Sequence, residues 1–164
     1  MLATVLTAAF DARTVRQVIV VSPERDWVPP NVPVLADTGE SLNGALTQAH
    51  RVLCDFGCRE VVILPADLPS ITADDIDDLV QAAHGGGFAI APDTHGTGTN
   101  ALCLVSAQPF SFQFGADSHR LHLDEAVRLG LASKVIQRAG LQFDVDLPAD
   151  LDRLEERRWL THQV

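Results

Sequence analysis

Acidic residues follow two apolar runs of the sequence, in positions where they could hold a divalent metal ion. Asp67 comes shortly after the apolar run 61–64, and Asp144 and Asp146 are two residues apart. If the latter segment is extended, both of its carboxylates lie on one face. Carboxylate oxygens suit Mg²⁺, which proteins usually hold with one or two carboxylates plus substrate phosphates and water. Both places also have a structural interpretation: Asp67 suits a turn before a helix, and the acidic pair suits the start of a helix at Pro148.

Two glycine-containing segments have the composition of anion-binding loops. Residues 96–100 read Gly-Thr-Gly-Thr-Asn, which lacks the lysine and the helix-opening context of a P-loop but lets backbone amides and hydroxyls approach an anion closely. A plain hairpin turn is the alternative. Gly115 and Ser118 stand at a predicted helix start, where phosphates and carboxylates bind. His119 and His122 follow on that helix and are interpreted as surface or packing histidines.

The elements that must position these residues alternate between strands and helices. Residues 18–21 and 60–64 are β-branched, buried-strand patterns, and Ser41 and Thr72 are predicted helix caps. Further strands are predicted over 32–36, 88–91, 101–105 and 134–137, and further helices at the amino-terminal start, over 118–129 and from Pro148. This order predicts an α/β fold with a doubly wound, mainly parallel sheet, in a single domain over residues 1–164. In such a sheet the ligand lies beyond the carboxyl ends of the strands.

Composition narrows the class of protein. The 164 residues carry 12 Lys+Arg against 22 Asp+Glu, a net charge of −10, which argues against a nucleic-acid groove. The 46% hydrophobic content supports one globular core. Three cysteines without a signal peptide or a membrane-spanning run indicate a reduced, cytoplasmic protein. Cys54 and Cys58 would make half a zinc site, but nothing completes it, so helix packing is the better interpretation.

Four ordered segments together resemble a known family. Residues 67–69, 92–102, 114–122 and 144–151 resemble the guanylyltransferases of deazaflavin coenzyme F-420 biosynthesis, α/β nucleotidyltransferases related to the molybdenum-cofactor enzymes. The Gly-Thr-Gly-Thr-Asn and Phe-Gly-x-x-Ser segments are the specific ones. The resemblance implies transfer of GMP from GTP to the phosphate of phosphoenolpyruvate or 2-phospho-L-lactate, with release of pyrophosphate.

The resemblance also implies roles for single residues. Asp67 and Asp146 would be the catalytic, Mg²⁺-binding pair, with Asp144 as a further candidate metal ligand. Thr99, Gly115 and Ser118 would bind the phosphorylated acid through hydroxyl and backbone donors. The segment 41–43 matches a family segment near the nucleotide, so Ser41 and Asn43 are expected there, with the Asn43 amide meeting the base or ribose.

The amino end departs from the family pattern. Family members begin with a strand and a lysine-bearing, phosphate-contacting loop, and neither is found before the opening helix of this sequence. We therefore expect either a start codon assigned too far downstream or a fragment. The alternatives are a nucleotidyltransferase for another acceptor, such as 3-phosphoglycerate, a molybdopterin or a sugar phosphate, and an inactive homologue that only binds ligand. The sequence leaves a homo-oligomer open.

Overall fold

The computed structural model describes residues 1–37 and 41–145. The predicted order of alternating helices and strands is present, with one short additional helix near the end of the described range. The elements in chain order are α1 Leu2–Asp11, β1 Val20–Ser22, β2 Val34–Ala36, α2 Leu42–Asp55, β3 Val61–Ile63, α3 Ala73–His84, β4 Gly87–Pro92, β5 Thr99–Leu104, α4 Ser118–Arg128, β6 Ala132–Val135 and α5 Ala139–Gln142. The helix predicted from Pro148 lies outside the described residues.

The strands of the described residues form two sheets. β1 pairs in parallel with β2, and a four-stranded sheet has the order β3-β5-β4-β6. In that sheet β4 and β6 are parallel, whereas β5 is antiparallel to both β3 and β4. The predicted α/β fold is therefore confirmed. Among the described residues two of the four strand pairings are parallel, and both antiparallel pairings involve β5.

The reversal of β5 decides which residues meet at one edge of the sheet. Asp93 to Gly98 form a tight connection between β4 and β5, in which the backbone N–H of Asp93 donates to the Gly98 carbonyl at 3.2 Å. The hairpin turn that the sequence left open is thus present. Because β5 runs backwards, its first residues lie at the edge where β3 and β4 end.

Side chains alternate across β4 and β5 and so divide the core into two layers. Small side chains point to one face, where α1 and α3 pack, and large ones point to the other, where α4 and an aromatic segment pack. The first face holds Ala89, Ala91, Ala101 and Cys103, and the second holds Phe88, Ile90, Leu102 and Leu104. Both faces are therefore covered, which is the burial pattern of an α/β sheet.

The ends of the helices follow the local sequence. Thr72 caps α3 as predicted and forms a capping box with Asp75, in which the Thr72 hydroxyl and backbone N–H both donate to the Asp75 carboxylate. Ser41 caps α2 by accepting a 3.1 Å bond from the backbone N–H of Gly44. The opening helix α1 has no side-chain cap. Among the described residues no helix combines the length and apolar character that a membrane crossing requires.

Candidate active site

Asp67 and the acidic segment near Asp144 are neighbours in the fold. Asp67 lies in the loop between β3 and α3, and its backbone carbonyl accepts a 3.3 Å hydrogen bond from the N–H of Val145. Asp67 and Asp144 are both half-buried. This contact places the two predicted metal-binding segments side by side, whereas Asp146 itself lies outside the described residues.

The donor chemistry of these two segments suits Mg²⁺. Their carboxylates are hard oxygen ligands, and the described residues contain no cluster of three His, Cys, Asp or Glu side chains that would compete as a metal site. A site of one or two carboxylates is the usual arrangement where substrate phosphates supply the other ligands. At Cys54 the neighbour is His50, with Sγ 3.5 Å from Nε2. Both residues lie on α2, and the helix-packing interpretation of Cys54 stays a prediction.

The loop between β4 and β5 is tied to the segment that leads to Asp144. The Thr94 hydroxyl and the Asn100 amide both donate to the backbone carbonyl of Gln142, at 2.8 Å and 3.1 Å. Asn100 is buried, so its bond is protected from water. The anion-binding candidate loop and the metal-binding candidate segment thus share one anchor.

The amino end of α4 lies against the same loop. The backbone N–H of His119 donates to the Thr97 carbonyl at 3.1 Å, and the His119 imidazole lies 3.1 Å from the Gly96 carbonyl through Nδ1. Ser118, the first residue of α4, is almost fully buried. Ser118 is therefore next to the Gly-Thr-Gly-Thr-Asn loop, and its contact with the acceptor acid stays a prediction.

Gly115 is needed for its backbone conformation. Its φ is +126°, a value that side chains rarely allow, and a Cβ there would meet nothing within 4 Å. Asp117, two residues on, also has a positive φ of 57°. Two residues with positive φ, separated by Ala116, therefore lie where the chain passes from the aromatic segment into α4.

The aromatic segment 110–114 has no regular secondary structure and pairs with no described strand. Three side chains accept its backbone N–H groups instead: Glu125 Oε1 accepts from Ser111 at 2.8 Å, His122 Nε2 accepts from Gln113 at 2.9 Å, and Asn43 Oδ1 accepts from Phe114 at 2.8 Å. These side chains come from α2 and α4. Because buried backbone donors must be paired, the position of this segment depends on all three.

Asn43 makes a reciprocal pair with the backbone of Phe114. Its Nδ2 donates to the Phe114 carbonyl at 3.1 Å while its Oδ1 accepts from the Phe114 N–H. The amide that was expected to meet a base or ribose therefore has a first partner within the protein. Its contact with a nucleotide stays a prediction, as does that of Ser41, whose side chain caps α2.

Glu125 was missed by sequence reasoning, and His122, interpreted there as a surface or packing histidine, is buried but also bonded through both ring nitrogens. His122 is fully buried and links Gln113 to Thr99, whose Oγ1 is 3.0 Å from Nδ1. Burial, reinforced by nearby His119, lowers the pKa of His122 to about 4. Glu125 is held by Arg128 at 2.6 Å and 2.8 Å, and this pairing lowers the pKa of Glu125. The available signal was the spacing of Ser118, His122 and Glu125 at helical intervals of four and three.

Comparison with known proteins identifies the family. Residues 1–155 match the family described as "Guanylyl transferase CofC like". The chain belongs to this family. Curated relatives of this guanylyl transferase family member are named phosphoenolpyruvate guanylyltransferase. The one from Sphaerobacter thermophilus is 40% identical over 154 residues, a match that covers 92% of this chain and 74% of the relative. The one from Chloroflexus aggregans is 36% identical over 131 residues, covering 80% of this chain and 60% of the relative.

Solved structures confirm the fold of this guanylyl transferase family member. The 2-C-methyl-D-erythritol 4-phosphate cytidylyltransferase from Thermus thermophilus superposes with a TM-score of 0.65 at 15% identity, covering 96% of this chain and 89% of the other. A 4-diphosphocytidyl-2C-methyl-D-erythritol synthase superposes with a TM-score of 0.67 at 15% identity, covering 94% and 88%. The chain therefore has the nucleotidyltransferase fold and belongs to an enzyme family.

Proposed function

We propose that this chain transfers the guanylyl group of GTP to the phosphate of phosphoenolpyruvate or 2-phospho-L-lactate. An oxygen of the acceptor phosphate attacks the α-phosphorus of GTP, the bond from that phosphorus to the bridging oxygen breaks, and pyrophosphate leaves with the electron pair. The names of the two relatives support phosphoenolpyruvate as the acceptor. The observation that carries the proposal is the meeting of the Asp67 loop, the amino end of β5 and the amino end of α4 at one edge of the sheet.

Phosphoryl-transfer chemistry needs positioning and charge neutralisation more than a covalent intermediate. Thr99, Gly115 and Ser118 would receive the acceptor acid through hydroxyl and backbone N–H groups. The dipole at the amino end of α4 favours an anion there. In a protein of net charge −10, such neutral donors bind an anion without a basic groove.

Asp67, Asp144 and Asp146 are the residues that we assign to Mg²⁺. Bound there, the ion would neutralise negative charge on the substrate phosphates, which a protein of net charge −10 has few cationic side chains to do. Asp67 lies on a loop whose backbone is bonded to Val145, and this bond restricts the position of the Asp67 carboxylate.

The three cysteines form no disulfide. We therefore extend the proposal to a location in a reducing compartment, the cytoplasm.

The test is pyrophosphate release by the chain with each nucleotide and each acceptor. GTP with phosphoenolpyruvate or 2-phospho-L-lactate should give release, whereas CTP, or GTP with 3-phosphoglycerate, a molybdopterin or a sugar phosphate, should give none above background. Release with one of those other acceptors alone would replace the proposed acceptor. GTP binding without release with any acceptor would refute enzymatic transfer by this chain.

A matched pair of variants tests the metal assignment. Asp67→Asn removes a charged ligand and should lower kcat/KM about a hundredfold or more, because metal stabilisation of transition-state charge is worth several kcal/mol. Asp124→Asn is the control, since Asp124 is exposed and forms an ion pair with Arg120 on the surface of α4. Similar activity in the two variants, or a Mg²⁺ dependence that Asp67→Asn leaves unchanged, would exclude Asp67 as a ligand.

A further inference from the structure

The two ring nitrogens of His122 have partners that fix its protonation. The ring is fully buried, Nε2 is 2.9 Å from the backbone nitrogen of Gln113, and Nδ1 is 3.0 Å from the Thr99 hydroxyl oxygen. A backbone N–H can only donate, so Nε2 must carry the lone pair. The neutral imidazole then has its proton on Nδ1, and that proton is donated to Thr99 Oγ1.

This arrangement has a consequence for Thr99. A hydroxyl that accepts from Nδ1–H still has one proton, and that proton must point to another acceptor. Thr99 opens β5, next to the Gly-Thr-Gly segment and the amino end of α4. We propose that His122 is a positioning residue that fixes the Thr99 hydroxyl as a hydrogen-bond donor toward the anionic acceptor acid. This inference rests on the proposed function, in which Thr99 binds that acid.

The reverse tautomer would present the opposite polarity. With the proton on Nε2, the Thr99 hydroxyl would donate to Nδ1 and turn an oxygen lone pair toward the anion. In that tautomer the Nε2–H of His122 would also face the backbone N–H of Gln113 at a nitrogen–nitrogen distance of 2.9 Å, and neither group could accept a hydrogen bond from the other. The backbone of the aromatic segment therefore selects the tautomer, and the tautomer selects the direction of the Thr99 hydroxyl.

The surroundings keep His122 neutral. The rings of Phe110 and Phe114 lie 5.9 Å and 4.8 Å from the imidazole. The titratable groups that influence it are His119 and Glu125, both on α4. Glu125 is already occupied by Arg128 and by the Ser111 N–H, so it does not take the His122 proton. A neutral ring donates to Thr99 without bringing a second charge into the core.

Two amide substitutions separate the two ring contacts. The side-chain amide nitrogen of His122→Asn can occupy the position of Nδ1 and still donate to Thr99, but it leaves the Gln113 N–H without its acceptor. The side-chain oxygen of His122→Gln can reach the position of Nε2 and accept from Gln113, but Thr99 loses its donor. We expect His122→Gln to raise KM for the acceptor acid about tenfold with KM for GTP unchanged, and His122→Asn to raise it less than about threefold.

A Thr99→Val background tests whether His122 acts through the hydroxyl. In that background the further change His122→Gln should have no additional effect on KM for the acid. The proposal would be overturned if His122→Gln still raised KM for the acid tenfold in the Thr99→Val background, or if His122→Asn raised this KM more than His122→Gln does. Either result would mean that His122 acts only by holding the aromatic segment.

The tautomer itself can be measured on the unmodified chain. Nitrogen-15 NMR of the imidazole should show a protonated Nδ1 and an unprotonated Nε2 from pH 5 to pH 8, and the opposite tautomer or a mixture would refute the inference.

Inorganic phosphate should bind more weakly to His122→Gln than to the unmodified chain. If no acid is a substrate, the proposed function fails, while the tautomer and the phosphate titration still decide for or against the role of His122.

Discussion

Mild acid should destabilise the protein through His122. In the folded chain burial lowers the pKa of this imidazole to about 4, whereas an unfolded histidine titrates near 6.5. Between these two values the unfolded state binds more protons than the folded one. The contribution of His122 to the free energy of unfolding is therefore at its full value above pH 6.5 and is lost as the pH falls toward 4.

The size of the effect follows from the two pKa values. Linkage gives a loss of about 2 kcal/mol in the free energy of unfolding between pH 7 and pH 5 for this one group. Solvent screening requires no discount, since the side chain has no exposed surface. The pKa values of Glu125 and Asp77 are also lowered, but these carboxylates lose their contribution below their unfolded pKa values, outside this range.

Urea unfolding at pH 7, 6 and 5 measures the effect, with His122→Asn as the matched variant. The difference in stability between the two proteins should shrink by about 2 kcal/mol from pH 7 to pH 5, because only one of them contains the titrating group. His50, whose pKa burial also lowers, is present in both and cancels. A difference that stays constant with pH would refute the neutral, buried state of His122.

Three further substitutions test the supports of the site. Asn43→Ala leaves both backbone groups of Phe114 without their side-chain partner, so the free energy of unfolding in urea should fall by about 1–3 kcal/mol; an unchanged value would show that water replaces the amide. Gly115→Ala should cost about 1–3 kcal/mol through backbone strain alone and raise KM for the acceptor acid, and a fully active, equally stable variant would contradict the need for a positive φ. Thr72→Ala removes the α3 cap and should lower stability by about 1 kcal/mol, with an unchanged urea midpoint as the contrary result.

The fold could be predicted from local patterns, because the strands and helices differ in hydrophobic period and have recognisable caps. The reversed direction of β5 was not part of that prediction, although the sequence contains its signal. Only the six residues 93–98 connect Pro92 to Thr99, and parallel strands need a crossover of a dozen or more. A connection this short permits only an antiparallel pair. The antiparallel direction of β5 therefore follows from the length of the loop before it and not from the composition of the strand.

The placement of candidate residues was predictable where it follows from strand ends and not where it depends on distant pairs. Asp67 was expected after a buried strand, and it lies in the loop after β3, beside the backbone of Val145. The metal-binding role of Asp67 stays a prediction. The pair between Asn43 and Phe114 joins residues 71 apart in the chain. Nothing in either local sequence specifies that partner, because it arises only when α2 and the aromatic segment pack on the same side of the sheet.

The buried position of His122 is itself evidence about the site. Burying a polar ring is costly unless both nitrogens are paired, and an apolar residue of similar volume is the more stable choice in many cores. Leucine at this position would fill the space between Phe110 and Phe114, but it would leave the Gln113 N–H unpaired and the Thr99 hydroxyl free to rotate. The first loss is one of stability and could be avoided by pairing the aromatic segment with a strand. The second loss is that the Thr99 hydroxyl no longer has a fixed orientation, although Thr99 is the residue that we propose to bind the acceptor acid. Among the described contacts of Thr99, only the one with the imidazole fixes the orientation of this hydroxyl.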